Sequence, residues 1–133
     1  GQTGTLVLEC YPNVGSVSSV DLAAFPRPWI KPGWVRKRRV PSLSLRQLLE
    51  DADLEEAELL KLDIEGSEYA VLSAEPELLP RFRRVVVECH GTEAHQQCRD
   101  LLEGRGFDCV YREQKRSGDL YFVHRGTGGS RPA

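Results

Sequence analysis

Two short segments carry most of the side chains that could do chemistry. The first, DIEGSE, covers residues 63–68, and the second, ECHG, covers residues 88–91. Alternation along an extended chain places Asp63 and Glu65 on the same side, where paired carboxylates can raise each other's pKa, hold a cation or accept hydrogen bonds from a ligand. The structural alternative is a helix N-terminus, where acidic residues favour the helix dipole.

The second segment offers a histidine and a carboxylate. His90 could act as a general base near neutral pH, or it could be a polar residue that closes a strand. Glu88 interrupts an apolar strand, and a buried carboxylate must find hydrogen-bond donors or a cation. The other two histidines, His95 and His124, are expected to be structural or exposed to solvent.

Apolar runs predict the elements that must position these segments. Residues 59–64 and 84–89 are apolar on both faces, which is typical of central parallel strands. The sequence SLRQ at residues 44–47 matches a capping box and predicts a short helix from about Leu45. Another helix is expected to begin at about Ser67 and to end before Pro76.

The rest of the chain predicts flanking elements. Thr92 can cap a helix with an apolar stripe, and residues 109–111 and 120–123 indicate a closing hairpin. A short strand at residues 5–10 precedes a loop that extends to Ser19. The chain therefore predicts one α/β domain over residues 1–125 and a disordered tail over residues 126–133.

The predicted order of elements gives the place of the site. In open α/β sheets the ligand lies beyond the carboxyl ends of the strands, where loops and helix N-termini meet. Asp63, Glu65 and His90 each follow such a strand. We therefore expect these three side chains to converge on one cleft.

Composition excludes some classes of protein. The chain has 133 residues, with 18 basic against 20 acidic side chains and a net charge of −2, so a single domain and no general affinity for polyanions are expected. Its apolar runs are too short for a membrane span. The four cysteines form no Cys-x-x-Cys pair, which favours reduced thiols in a cytoplasmic protein over a zinc site.

Charge is distributed unevenly along the chain. Residues 27–39 include six basic and no acidic side chains together with Trp29 and Trp34, whereas residues 50–58 include six acidic and no basic ones. The basic stretch, broken by prolines, predicts a loop whose charge is balanced by the acidic stretch. It could also bind an anionic partner, with the indoles as stacking platforms. The chain contains no methionine, which favours a piece excised from a longer protein.

The two chemical segments also carry a family resemblance. The sequence LLKLDIEGSEYAVL at residues 59–72, followed by RVVVECH at residues 84–90, resembles the FkbM family of S-adenosylmethionine-dependent methyltransferases. The sequence PSLSLRQLL at residues 41–49 is similar to the segment that precedes that block. The resemblance extends from about Thr5 to Val123.

The resemblance implies a partial fold that lacks one cofactor-binding turn and has a free strand edge. It implies the second half of a Rossmann-like class I methyltransferase sheet, with strand four at 59–64, strand five at 84–89 and a hairpin at 109–123. The family's glycine-rich turn, which cradles the cofactor, has no counterpart in a strand-turn-helix context here. This chain alone is therefore expected to be inactive. The free edge of the strand at 59–64 should be covered by the strand at 5–10 or by self-association.

The resemblance also implies roles for single residues. Asp63, Glu65 and His90 would be catalytic; Asp63, Gly66 and Glu68 would bind S-adenosylmethionine; Glu88 and His90 would bind the substrate. No metal ligand is assigned. The reaction would transfer a methyl group to an oxygen of a small molecule or sugar. The alternative is a non-catalytic binding module that uses the basic, Trp-containing loop on an anionic partner.

Overall fold

The computed structural model describes residues 4–10, 18–19, 33, 35–113 and 118–127. This part of the chain is an α/β structure. Its strands are β1 (Gly4–Cys10), β2 (Ser18–Ser19), β3 (Arg36–Ser42), β4 (Ala57–Leu62), β5 (Phe82–Cys89), β6 (Phe107–Arg112) and β7 (Gly118–His124). Its α-helices are α1 (Leu45–Asp51), α2 (Glu68–Ala74) and α3 (Thr92–Gly104), and 3-10 turns cover Pro76–Arg81 and Arg125–Thr127.

Four strands form a mixed sheet in the order β4-β5-β7-β6. β4 and β5 are parallel, with Leu60 in register with Val85. β7 runs antiparallel to both β5 and β6. The predicted parallel pair and the predicted closing hairpin are therefore confirmed.

The core lies on one face of this sheet. Alternate residues of each strand point to that face, and α2 and α3 pack over it because their buried side chains complete the same cluster. The fully or nearly buried members include Leu62, Val85, Val87, Leu120 and Phe122 from the sheet, and Leu72, Cys98 and Leu102 from the helices.

The other face of the sheet is open within the described residues. The side chains of Leu59 and Tyr121 are exposed, and so is that of Lys61. The prediction that residues 59–64 are buried on both faces, as a central strand, is wrong for this structure. An apolar run does not reveal how many faces of a strand are covered.

The first three strands form a second sheet, in the order β2-β1-β3. β1 pairs antiparallel with β3 from Gly4 opposite Ser42 to Cys10 opposite Arg36. The sequence predicted loops up to Ser19 and at residues 27–39, but β2 and part of β3 lie there. These segments form strands because pairing with β1 overrides a weak local preference. β1 does not pair with β4, so the prediction that the strand at 5–10 covers that edge is wrong.

The helix starts agree with prediction except in their caps. Ser44 Oγ accepts a hydrogen bond from the Gln47 N–H at 3.1 Å, the first bond of the predicted capping box, and the side-chain NH₂ group of Gln47 donates to Asp51 at 2.7 Å. The N-cap of α3 is Gly91, with φ of 112°, instead of Thr92. A glycine reaches this backbone conformation without a steric penalty.

Two acidic residues of the stretch at 50–58 pair with arginines of the adjacent strand. Glu56 and Glu58 lie near the guanidinium groups of Arg83 and Arg84. Of the basic stretch, Lys37 forms an ion pair with Glu9 at 3.3 Å. Residues 27–32 and 34 of the basic stretch lie outside the described residues, so the balance of charge between the two stretches stays a prediction.

Three other features bear on the predictions. All four cysteines are free, and Cys89 and Cys98 are buried. Arg125–Thr127 forms a 3-10 turn, so the predicted tail begins with ordered structure, and residues 128–133 lie outside the described part. Within that part, the helices all fall short of the length and apolar character that crossing a membrane requires.

Candidate functional site

The candidate site lies where the parallel strands β4 and β5 end. Asp63 and Glu65 follow β4, and His90 follows β5. One ligand atom from each of these three side chains lies within 4.8 Å of the others. The expected convergence of the three residues is therefore present in the structure. We call Asp63, Glu65 and His90 the strand-end cluster.

The loop between β4 and α2 has an unusual backbone. Glu65 has φ of 53° and Gly66 has φ of 100°, and the first of these is uncommon for a residue with a Cβ atom. The first residue of α2, Glu68, accepts hydrogen bonds from the N–H groups of Ile64 at 3.2 Å and Gly66 at 3.0 Å. These bonds fold the loop and offset the conformational cost at Glu65.

Glu68 also contacts the histidine of the cluster. Its Oε1 atom lies 2.9 Å from Nδ1 of His90, and its side chain has no solvent exposure. Burial favours the neutral acid, but the hydrogen bonds from His90 and the Gly66 N–H outweigh burial and lower the pKa of Glu68 below its usual value. Its second oxygen, Oε2, is buried and has no hydrogen-bond partner in the described part of the chain.

His90 is held between two acidic residues. While Nδ1 faces Glu68, Nε2 lies 3.6 Å from Oε2 of Glu65. The hydrogen bond to Glu68 raises the pKa of His90; burial opposes this, and the negative charges of Glu65 and Glu88 add to it. The contact with Glu68 fixes the ring and presents Nε2 to the strand-end cluster.

Glu88 lies one position before the end of β5 and is half-buried. Burial is the main cause that raises the pKa of Glu88, and the charges of Asp63 and Asp119 raise it further. Asp119 on β7 is in register with Glu88. Sequence reasoning missed Asp119, because nothing within residues 118–124 indicates which strand pairs with Glu88. It also missed Lys61, whose Nζ lies 3.6 Å from Oδ2 of Asp63.

The charges near the strand ends are mostly negative. Five carboxylates interact there with one lysine and one histidine. The carboxylates are those of Asp63, Glu65, Glu68, Glu88 and Asp119. Because like charges at close range disfavour one another, this arrangement favours a bound cation or a ligand with positive charge.

A cavity of about 410 Å³ lies beside the same loop. It runs along the face of α2 formed by Ser67, Ala70, Val71 and Ala74, and α1 closes its other side. Ser67 belongs to the loop of the strand-end cluster, so the cavity begins next to the site. Its size suits a small organic ligand.

Comparisons with known proteins agree with the sequence resemblance. No curated protein and no solved structure matches this chain. A protein-family profile described as the Methyltransferase FkbM domain matches residues 12–109. This range covers more than half of the chain and includes Asp63, Glu65, Glu68 and His90. The chain belongs to the FkbM methyltransferase family.

Proposed function

We propose that this chain is the part of an S-adenosylmethionine-dependent methyltransferase that lines the site of methyl transfer, with an oxygen of a small molecule or sugar as acceptor. Family membership supports the general activity. The observation that carries the proposal is the convergence of Asp63, Glu65 and His90 at the ends of two neighbouring parallel strands. Carboxyl ends of such strands are where α/β sheets bind ligands.

The residues present fit a cationic donor. S-adenosylmethionine supplies a methyl group on a positively charged sulfur. Asp63 and Glu65 offer carboxylates at the rim of the site, and their charges favour a cation there. The backbone at Gly66 can approach a ligand closely because it lacks a side chain. We propose that Asp63 and Gly66 contact the donor.

Glu68 fits a different role from direct contact with the donor. Its side chain is fully buried, and one oxygen accepts from Ile64, Gly66 and His90. We propose that Glu68 is a positioning residue, which folds the loop and orients the His90 ring. Its predicted role in cofactor binding would then be indirect.

The acceptor would lie against the histidine. Nε2 of His90 faces the cluster and can accept a proton from a hydroxyl group. Glu88 is half-buried near the same strand end, and Glu88 could accept a hydrogen bond from the acceptor. Asp63 and Glu65 would align the reactants, since an in-line displacement depends mainly on positioning.

The fold supports a further proposal about architecture. The parallel pair β4 and β5, followed by the antiparallel hairpin of β6 and β7, fits the second half of a Rossmann-like class I sheet. The uncovered outer edge of β4 and the open sheet face are where the first half would add strands and helices. We propose residues 1–125 as one methyltransferase unit, and a cytoplasmic location for it.

The test uses the charge of the donor. Amide NMR spectra of the chain would be recorded with S-adenosylmethionine and with S-adenosylhomocysteine, which lacks the methyl group and the positive charge. The proposal predicts shifts confined to residues 62–68 and 88–91, with tighter binding of the charged ligand. In Asp63→Asn that preference should decrease, whereas Asp51→Asn on α1 should retain it.

Two results would contradict the proposal. One is a set of shifts located away from the ends of β4 and β5. The other is an equal affinity for both ligands in the unmodified chain and in Asp63→Asn. A panel of hydroxylated small molecules and a methyl-labelled donor would then identify the acceptor in the intact parent protein.

A further inference from the structure

The strand-end cluster has the composition of a mixed oxygen and nitrogen metal site. Asp63 and Glu65 offer carboxylate oxygens and His90 offers an imidazole nitrogen, all within 4.8 Å of one another. Nε2 of His90 lies 3.6 Å from Oε2 of Glu65. Two ligands of a tetrahedral ion with bonds of about 2.1 Å are roughly 3.4 Å apart. The pair of His90 and Glu65 is already close to this spacing, and side-chain movements of up to about 1.4 Å would bring the other pairs, all within 4.8 Å, to it.

The second observation is the buried carboxylate behind the histidine. A histidine that binds a metal through one ring nitrogen commonly donates its other N–H to a carboxylate, which fixes the tautomer and the ring orientation. Glu68 occupies this position, because its Oε1 lies 2.9 Å from Nδ1 and its side chain has no exposure. Among the residues that the structure describes, its Oε2 has no hydrogen-bond partner although it is buried. A divalent ion bound to Nε2 of His90 would place positive charge on the far side of the ring and so stabilise the buried carboxylate of Glu68.

We propose that Asp63, Glu65 and Nε2 of His90 bind a divalent transition-metal ion, with Glu68 orienting His90. Two carboxylates and one imidazole suit Mn²⁺ or Zn²⁺ better than Mg²⁺ or Ca²⁺, which prefer oxygen ligands throughout. Three protein ligands leave positions on the ion open for water or for a ligand hydroxyl. Asp63 and Glu65 are partly accessible, so the ion can enter from solvent.

This inference does not depend on the proposed function, because a cation can bind whether or not a methyl group is transferred. If both hold, His90 uses Nε2 for the ion and is not available as the general base. An acceptor hydroxyl bound to the ion would lose its proton more easily. A metal chelator added to the intact parent would then lower methyl transfer.

The experiment measures Mn²⁺ binding to the chain without any cofactor. Mn²⁺ is chosen over Zn²⁺ because it has little preference for thiols, and all four cysteines of the chain are free. Free Mn²⁺ would be followed by its electron paramagnetic resonance signal. We expect one saturable site, and selective broadening of the amide signals of residues 63–66 and 90–91.

The variants separate this site from general attraction to acidic groups. Asp63→Asn, Glu65→Gln and His90→Gln should each weaken Mn²⁺ binding at least tenfold, and Glu68→Gln should weaken it about tenfold to a hundredfold. Glu50→Gln, in the acidic stretch on α1, should leave it unchanged. Amide spectra of each variant without metal would check that the fold is retained.

Three results would overturn the proposal. The first is the lack of saturable binding up to millimolar Mn²⁺. The second is broadening centred on residues 50–58 instead of the strand ends. The third is an affinity that Asp63→Asn and Glu65→Gln, with the fold retained, do not change.

Discussion

Nδ1 of His90 lies 2.9 Å from Oε1 of Glu68, a carboxylate without solvent exposure. This contact connects the end of β5 to the first residue of α2. The same oxygen accepts the N–H groups of Ile64 and Gly66, which belong to the loop after β4. One buried side chain therefore holds both strand ends in their relative positions. Its removal should affect the site and the stability together.

Glu68→Gln should destabilise the chain by about 1–3 kcal/mol, because an amide oxygen accepts these hydrogen bonds less strongly than a carboxylate and its NH₂ group enters a buried position. The free energy of unfolding would be measured by denaturant titration. Glu50→Gln, an exposed residue on α1, is the matched control and should change it by less than about 0.5 kcal/mol.

The same variant should also release the imidazole. Nitrogen NMR of His90 should show the Nδ1–H tautomer in the unmodified chain and a mixture in Glu68→Gln, since the tautomer depends on the hydrogen bond at Nδ1. An unchanged tautomer in Glu68→Gln, with an unchanged free energy of unfolding, would contradict the positioning role.

A second prediction concerns the cofactor. The isolated chain should bind S-adenosylmethionine only weakly, so that the expected amide shifts need a high ligand concentration, because its sequence has no glycine-rich strand-turn-helix to cradle the donor. Titration calorimetry would measure the dissociation constant. A low-micromolar value would show that the strand-end cluster and its loop are themselves the main cofactor site.

The sequence was sufficient to predict that Asp63, Glu65 and His90 converge, but not the contact that supports them. The parallel order of β4 and β5 follows from two apolar runs around a helix, and it brings Asp63, Glu65 and His90 together. The contact between Glu68 and His90 depends on the turn at Glu65 and Gly66, whose positive φ values have no clear local signal. The family resemblance implied a role for Glu68 in cofactor binding, whereas the full burial of its side chain favours the supporting role that we propose.

The second sheet was the least predictable part of the fold. β3 begins with four basic residues and has no apolar alternation in that part, so a loop was expected. It is a strand because the backbone of β1 supplies partners along its whole length. Pairing between strands distant in sequence is a tertiary property. For the same reason Asp119 was not recognised as the partner of Glu88.

A third prediction concerns pH and His95. This side chain is buried, and its Nε2 has no hydrogen-bond partner among the described residues. Burial lowers the pKa of His95, and the charges of Arg112 and Arg99 lower it further. As the pH falls below about 6.5, the unfolded chain takes up this proton before the folded chain does. The contribution of His95 to stability should therefore decrease from pH 7 towards pH 5.5, whereas the raised pKa of His90 acts in the opposite direction over the same interval.

The contribution of His95 is measured as a difference. The free energy of unfolding of His95→Leu should fall less over this pH interval than that of the unmodified chain. His124→Leu, which changes a less buried histidine, serves as the comparison. Equal pH dependence in His95→Leu and the unmodified chain would show that the pKa of His95 is the same in the folded and the unfolded chain.

A fourth prediction concerns the link between α1 and the end of α2. Arg46 Nε lies 3.2 Å from Oε1 of Glu75, and its Nη2 lies 2.8 Å from Oε1 of Glu77. Burial alone would raise the pKa of Glu75, but the hydrogen bond from the backbone N–H of Arg46 and the nearby positive charges, that of Arg46 among them, outweigh it and lower that pKa. Arg46→Ala should therefore cost about 1–2 kcal/mol at neutral pH.

This cost should disappear in acid. Because the pKa of Glu75 is lowered in the folded state, its contribution is present above the pKa of the unfolded chain, about 4.3, and is lost as the pH falls. Denaturant titrations of Arg46→Ala at pH 7 and pH 3 would test this. Arg105→Ala, exposed at the end of α3, is the control. A cost that persists at pH 3 would assign the effect to packing.

The last prediction concerns the outer edge of β4. Within the described residues β4 pairs only with β5, so its other edge presents unpaired N–H and C=O groups. Leu59 is 52% exposed on the open face of the same strand, where Lys61 is also exposed, and an edge strand with unpaired backbone groups is a template for another chain. We expect the isolated chain to self-associate through β4, as measured by sedimentation velocity over a range of concentrations.

A charge on this strand should oppose the association, because lysines on an edge strand disfavour pairing with a second copy. Leu59→Lys should shift the equilibrium towards the monomer by at least tenfold in the dissociation constant, a change of about 1.4 kcal/mol. Val110→Lys on β6, at the opposite edge of the sheet and 62% exposed, should have little effect. A monomer at all concentrations, or an equal response to both variants, would show that the edge of β4 is not the contact.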